Sequence, residues 1–113
     1  MRIKNIEIGK NNPFFLIAGP CVIESRDLVF QIAEQLVTIT SKLSIPFIFK
    51  ASFDKANRTS TKSFRGVGID RGLSILDEVK TNFGCPVLTD VHDVDHVNAV
   101  AGVVDVLQTP AFL

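Results

Sequence analysis

Four short apolar runs divide the chain, and they constrain its fold more than any other feature. The runs cover residues 14–18, 46–50, 86–89 and 103–107 and consist mainly of Phe, Ile, Leu and Val. Each run has the length of a strand, and a continuous apolar run is expected of a strand that is buried on both faces. The segments between the runs carry apolar residues at helical spacing. The resulting order, βαβαβαβ, predicts a parallel sheet built from right-handed crossovers.

Three helices are predicted between these strands. The first extends from Arg26 to about Lys42, and Ser25 is its expected N-cap. The second begins at residue 69 or 70 and ends at 82, where Gly84 is expected near the C-cap. The apolar residues that recur at helical spacing in the first helix are Leu28, Val29, Ile32, Leu36 and Ile39; in the second, Leu73, Leu76 and Val79 are expected to face inward.

The third predicted helix is shorter, and its N-cap is either Asp93 or Asp95. It carries Val97 and Val100. At the start of the chain, residues 2–8 alternate between isoleucine and polar side chains, the pattern of a half-exposed strand. We expect a small N-terminal hairpin or lid there.

Composition indicates one soluble globular domain. The chain has 113 residues, of which 46% are hydrophobic, with 12 basic and 12 acidic side chains. The absence of a basic block argues against nucleic acid as the main partner. No run is as long as a membrane span, and the first residues do not form a signal peptide, so we expect a cytoplasmic protein without membrane contact. The two cysteines, Cys21 and Cys85, are expected to be free thiols.

A basic segment follows the second apolar run. Lys50, Lys55 and Arg58 leave the C-terminal end of that predicted strand, where ligands bind in parallel α/β folds. Cationic and amide side chains at this spacing suit phosphate and carboxylate groups. For an arbitrary segment with this spacing, however, a solvated loop is the more common explanation.

Further polar residues follow the other strands. Asp90 and His92 are two residues apart, so both would lie at the same rim if the strand geometry persists. Their alternative roles are those of a helix cap and a surface residue. Cys21 follows Gly19 and Pro20 at a strand end, although a lone cysteine more often packs as a small apolar residue.

Four stretches, in this order along the chain, resemble the 3-deoxy-D-manno-octulosonate 8-phosphate synthases. They are residues 18–25 (AGPCVIES), 50–58 (KASFDKANR), 89–92 (TDVH), and 104–108 with 110–113 (VDVLQ and PAFL). This resemblance implies a TIM (β/α)8 barrel, of which the chain holds about the first half, strands one to four, preceded by the hairpin. We therefore expect residues 1–113 to be the N-terminal half of one synthase domain. A self-contained flavodoxin-like sheet is the alternative, although its edge strands would be exposed.

The resemblance also implies an activity and roles for individual residues. Members of the family condense phosphoenolpyruvate with arabinose 5-phosphate, usually as homotetramers, in a pathway that leads to lipopolysaccharide. Lys50 and Ser52 would contact the carboxylate end of phosphoenolpyruvate, and Lys55 and Asn57 would lie near the reacting carbons. Arg58, Thr59 and Ser60 would contact the sugar phosphate, partly that of an adjacent subunit. Asp90, and with less weight His92, would form part of the active-site wall. Gln108 would lie near the phosphoenolpyruvate pocket.

Cys21 carries a further implication of the resemblance. The family has asparagine at this position in its metal-independent class and cysteine in its metal-dependent class. Cys21 thus implies a divalent metal of the zinc, iron or manganese type, and no organic cofactor. The other ligands of that metal would lie beyond residue 113, so we expect the chain alone to be inactive.

Two rival functions stay open on the sequence. One is the related heptulosonate-phosphate synthase reaction, which uses erythrose 4-phosphate. The other is a non-catalytic remnant that only binds anions.

Overall fold

The computed structural model describes residues 1–55 and 66–111. Four parallel strands alternate with helices, behind a short antiparallel hairpin. The elements in chain order are β1 (Arg2–Ile3), β2 (Ile6–Glu7), β3 (Leu16–Ala18), α1 (Arg26–Lys42), β4 (Phe47–Lys50), α2 (Ile69–Phe83), β5 (Val87–Asp90), a 3₁₀ turn (Val94–His96), α3 (Val97–Ala101) and β6 (Val106–Gln108).

The main sheet has the strand order β3-β4-β5-β6, so each strand pairs with its nearest neighbours in the sequence. All three pairings are parallel. This arrangement, with helices between successive strands, confirms the predicted α/β class and is consistent with the first half of a TIM barrel.

The helices form where their capping residues predict. Ser25 caps α1, because its Oγ accepts a hydrogen bond from the backbone N–H of Leu28 at 3.2 Å. Gly84 ends α2 in the left-handed conformation, at φ 70°, and donates its N–H to the carbonyl of Lys80. In the 3₁₀ turn the cap is Asp93, whose carboxylate accepts from the N–H of Asp95.

One face of the sheet packs against α1 and α2 and forms the main core. The three inward residues predicted for α2 are all buried, Leu76 and Val79 in this core and Leu73 in a separate cluster with Phe53 and Val100. In α1, by contrast, Leu28 and Ile39 are exposed, because they lie outside the stripe that contacts the sheet. The buried members of the main core are Ile23, Val29, Ala33, Phe47, Phe49, Ala51, Ile75, Leu76, Val79, Cys85 and Val87.

The N-terminal hairpin covers the start of the opposite face. Ile6 in β2 is buried against Ile48 and Leu88, with Val106 packed beside them. This contact confirms the predicted hairpin. The hairpin covers the N-terminal half of this face of the sheet. It does not extend over the C-terminal ends of the strands.

Asp105 fastens the hairpin and α2 to the sheet. Its Oδ2 accepts the backbone N–H of Val87 at 2.9 Å. Its Oδ1 lies 3.8 Å from the ammonium of Lys4 and 3.9 Å from that of Lys80. Three elements therefore share one carboxylate at the end of the sheet opposite to the predicted site.

Two strands differ from their predictions. The first apolar run, residues 14–18, was expected to be a strand buried on both faces. The strand begins only at Leu16, and Phe14, which precedes it, is 73% exposed. Ile17 is 42% exposed, because β3 is an edge strand with only one neighbour. The last strand begins at Val106 and not at residue 103. The N–H groups of Val103 and Val104 both bond to the carbonyl of Val100 and so complete the turn that ends α3.

Among the described residues, no helix is long and apolar enough to cross a membrane.

Candidate active site

The loop after β3 runs directly over the end of β4. A Cβ at Gly19 would lie 1.8 Å from the carbonyl oxygen of Lys50, so only glycine allows this approach. Beyond it, Val22 forms a parallel bridge with Ser52, and the N–H of Ile23 bonds to the Ser52 carbonyl at 2.9 Å. The loop that carries the exposed Cys21 is therefore fixed against the segment after β4.

The register of the sheet brings three of the predicted polar residues onto one face. Lys50 pairs with Leu88, and Asp90 pairs with Gln108. Because side chains alternate along a strand, Asp90 shares the face of Leu88, and hence the face of Lys50. This is the face whose N-terminal half the hairpin covers, so Lys50, Asp90 and Gln108 lie together at its open end.

Ser52 and Lys55 form a polar pair just beyond β4. Ser52 is completely buried, and its Oγ lies 2.7 Å from the ammonium of Lys55. An ammonium can only donate, so the serine oxygen accepts, and this contact fixes the position of the Lys55 ammonium. The backbone is fixed as well, because the buried Thr89 donates its hydroxyl to the Ala51 carbonyl at 2.7 Å.

Asp90 and His92 form the second polar pair. The His92 Nε2 lies 3.3 Å from the Asp90 Oδ2, and the two side chains are only 8% and 7% exposed. The two atoms are close but not aligned as a hydrogen bond. Asp90 Oδ1 and both nitrogens of His92 are buried without a hydrogen-bond partner among the described residues.

Buried polar atoms without partners are expensive, at about 1–3 kcal/mol each. A group of three in adjacent side chains is therefore a candidate contact point for a polar ligand. The burial of His92 also argues against the alternative of a surface histidine. Asp90 is likewise not a helix cap, since Asp93 fills that role.

Six of the ten predicted site residues lie in the described part of the chain. Lys50, Ser52, Lys55, Asp90 and Gln108 are gathered at the C-terminal ends of the strands, and Cys21 lies on the loop that pairs with Ser52. The other four, Asn57, Arg58, Thr59 and Ser60, lie outside the described residues. Nothing observed assigns a role to any of the ten, so their roles stay predictions.

Phe53, and His96 beside it, carried no assignment from the sequence. Phe53 is 1% exposed, and its ring contacts the rings of both His92 and His96. The signal in the sequence was one aromatic residue inside a loop of small and charged side chains. That pattern does not reveal which distant residues the ring contacts.

The described residues do not by themselves fit the metal that the resemblance implies. Within residues 1–55 and 66–111, no three His, Cys, Asp or Glu side chains converge as a metal site. Cys21 can supply one ligand, and a stable site needs three or more.

Two cavities lie near the sheet, at opposite ends. One of about 260 Å³ adjoins His92 and is lined mainly by apolar residues, including Val94, Val97 and Pro110. The other, of about 290 Å³, lies under the hairpin next to Cys85. Burial raises the pKa of the Cys85 thiol, so this cysteine is a packed, neutral group.

Comparison with known proteins identifies the family. The model of the DAHP synthetase I family matches residues 1–113. Proteins named 2-dehydro-3-deoxyphosphooctonate aldolase from Bordetella petrii, Aromatoleum aromaticum and Cupriavidus taiwanensis are 64%, 60% and 59% identical over all of the chain. The chain spans 40%, 40% and 39% of their respective lengths. Because the family match extends over every residue, this chain belongs to the DAHP synthetase I family.

Proposed function

We propose that this chain supplies the phosphoenolpyruvate-binding part of a 3-deoxy-D-manno-octulosonate 8-phosphate synthase. The observation that carries the proposal is the grouping of Lys50, Ser52 and Lys55 with the partnerless oxygen of Asp90 at one end of a parallel sheet. The names of the relatives support this choice of reaction. In its chemical class the reaction would be a transfer of the enolpyruvyl carbon skeleton to an aldehyde.

Carbon 3 of phosphoenolpyruvate would attack the aldehyde carbon of arabinose 5-phosphate. Water adds at carbon 2, and phosphate leaves by cleavage of the carbon–oxygen bond. One phosphate ion and the eight-carbon sugar acid phosphate are the products, so every atom of the three reactants is accounted for.

The described residues divide this work by charge and position. Lys50 offers a cation at the end of β4, which suits the carboxylate of phosphoenolpyruvate. Lys55, held against Ser52, places a second cation in the same region, where it can offset the negative charge that develops on the aldehyde oxygen. Asp90 and His92 would offer polar contacts to hydroxyl groups of the second substrate. Holding both reactants in this way lowers the entropic part of the barrier.

Three further statements belong to this proposal. A divalent metal with Cys21 as one ligand is part of it and would supply Lewis-acid stabilisation to the whole enzyme. A homotetramer is also part of it, because the resemblance assigns the sugar phosphate partly to an adjacent subunit. A cytoplasmic location is supported by the two free thiols, which suit a reducing compartment.

The test is a chimera in which this chain replaces the matching 40% of the Bordetella petrii relative. We expect it to release phosphate from phosphoenolpyruvate when arabinose 5-phosphate is present, and the unaltered relative is the positive control. A folded chimera without turnover would show that the chain does not carry a working half of the site.

A second candidate is the heptulosonate-phosphate reaction, and the description of the matching family, DAHP synthetase I, favours it. The same chimera separates the two reactions. Phosphate release that depends on erythrose 4-phosphate and not on arabinose 5-phosphate would establish the second candidate.

A further inference from the structure

Phe53 is the centre of a small apolar cluster beneath the candidate site. It is buried with Leu73 of α2 and Val100 of α3, and this cluster is separate from the main core. In the sequence it stands directly after Ser52 and two residues before Lys55. Its backbone is thus part of the polar segment after β4, while its ring points into a different environment.

Helix α2 is built to receive this phenylalanine. A Cβ at Gly72 would lie 2.3 Å from the Cβ of Phe53, so the helix backbone contacts the side chain at its base. The N–H of Gly68 bonds to the Phe53 carbonyl at 3.2 Å. The residue is therefore held both through its backbone and through its side chain.

The far side of the ring contacts both histidines of the chain. The His92 ring centroid lies 6.0 Å away at an interplanar angle of 82°, and the His96 centroid lies 6.4 Å away at 68°. Both are edge-to-face geometries that aromatic rings prefer. His92 Nδ1 and Nε2 and His96 Nδ1 have no hydrogen-bond partner among the described residues. The orientation of these imidazoles consequently depends on packing, and Phe53 is their shared aromatic contact.

We propose that Phe53 is a positioning residue, which sets the separation between the Ser52–Lys55 pair and the Asp90–His92 pair so that both face one ligand. This inference rests on the proposed function. Phe53 is 1% exposed, so it acts through its neighbours and not by touching a substrate. Its ring meets His92, which lies 3.3 Å from Asp90, and its backbone carries Ser52 on one side and the turn to Lys55 on the other.

The kinetic test compares three substitutions in the chimera described above. Phe53→Leu removes the aromatic edges but keeps an apolar side chain, and Gly72→Ala pushes against Phe53 from the helix side. Phe47→Leu is the matched control, because Phe47 is a buried phenylalanine at the start of β4 that packs in the main core and not in the Phe53 cluster. We expect the first two to lower kcat about ten- to a hundredfold, as misplacement of reacting groups does, with smaller changes in KM. Phe47→Leu should lower the melting temperature but leave kcat within about twofold.

A spectroscopic test is independent of turnover. The chain has two histidines, so labelling only the Cε1 carbon of each imidazole in the 113-residue chain gives two resonances, which His92→Gln and His96→Gln assign. Phe53→Leu should shift both resonances, whereas Phe47→Leu should leave both in place. Unshifted resonances in Phe53→Leu, or a loss of kcat no larger than in Phe47→Leu, would overturn the positioning role. An inactive parent chimera with shifted resonances would instead reject the proposed function and keep the structural link.

Discussion

Gly19 and Lys50 approach each other so closely that the Lys50 carbonyl oxygen stands 1.8 Å from the position of a Cβ on residue 19. Neither backbone can move freely, because β3 and β4 are paired in the sheet. We expect Gly19→Ala to destabilise the protein by about 3 kcal/mol, the upper range for overpacking. Gly102→Ala is the control, since its Cβ would lie 3.4 Å from its nearest neighbour. Urea unfolding of both variants measures the difference, and equal midpoints would contradict the close approach.

Lys50 and Lys55 are expected to differ in their kinetic effects. Lys50→Ala in the chimera should raise KM for phosphoenolpyruvate about ten- to a hundredfold, because a charge-assisted contact contributes roughly 1.5–3 kcal/mol. Lys55→Ala should mainly lower kcat, since its charge matters most when the aldehyde oxygen becomes negative. Lys10→Ala, an exposed lysine ahead of β3, is the control. Steady-state kinetics with each substrate varied in turn gives KM and kcat for each variant. If Lys50→Ala and Lys55→Ala change KM and kcat to the same extent, the loss reflects folding and not separate roles.

The two cysteines should react with thiol reagents at very different rates. Cys21 is exposed, whereas Cys85 is buried and its pKa is raised by that burial. At pH 8 we expect one thiol of the chain to react quickly and the second only after unfolding. Cys21→Ser should abolish the fast phase and Cys85→Ser should leave it unchanged. Two thiols that react together in the folded chain would show that Cys85 is not protected.

The same burial has a consequence for stability at alkaline pH. The folded chain keeps the Cys85 proton above the ordinary thiol pKa of 9.0, while the unfolded chain loses it. Stability is therefore unaffected by this group below that pH and falls as the pH rises above it. Urea midpoints at pH 8 and pH 10 should differ less in Cys85→Ala than in the parent. An equal difference in both would assign the alkaline loss to other groups.

Removal of metal tests the role predicted for Cys21. If its sulfur is a ligand in the whole enzyme, chelator treatment should inactivate the chimera and added zinc, iron or manganese should restore it. Cys21→Asn should then reduce the dependence on metal, and Cys21→Ala should abolish activity. A chimera that keeps full activity after exhaustive chelation would reject Cys21 as a functional ligand.

The sequence predicts the fold well where neighbours along the chain decide the structure. Ser25 and Gly84 cap their helices as expected, because capping depends on a few adjacent residues. The inward face of α2 follows from its apolar spacing alone. The exposure of Ile17 was not predictable in the same way, since an edge strand looks like a central strand until the order of the sheet is known.

The same distinction applies to the candidate site. Lys50 and Asp90 were placed at one rim because both follow apolar runs, and parallel strands bring such positions together. The pairing of Ser52 with Lys55 is equally local. Phe53, however, acts through Gly72 on a later helix and His92 on a later loop, so its surroundings depend on packing between segments that no single pattern describes.

The strand order of the sheet has a consequence for the synthesis of the protein. Each of β4, β5 and β6 pairs with the strand that leaves the ribosome immediately before it. Every pairing can therefore begin as soon as one helix and one strand have emerged, without waiting for distant parts of the chain. Because short loop closures are faster than long ones, the sheet can assemble in the order of translation, and each new strand covers the edge of the strand made just before it, while the outer edge of β3 stays free in this sheet.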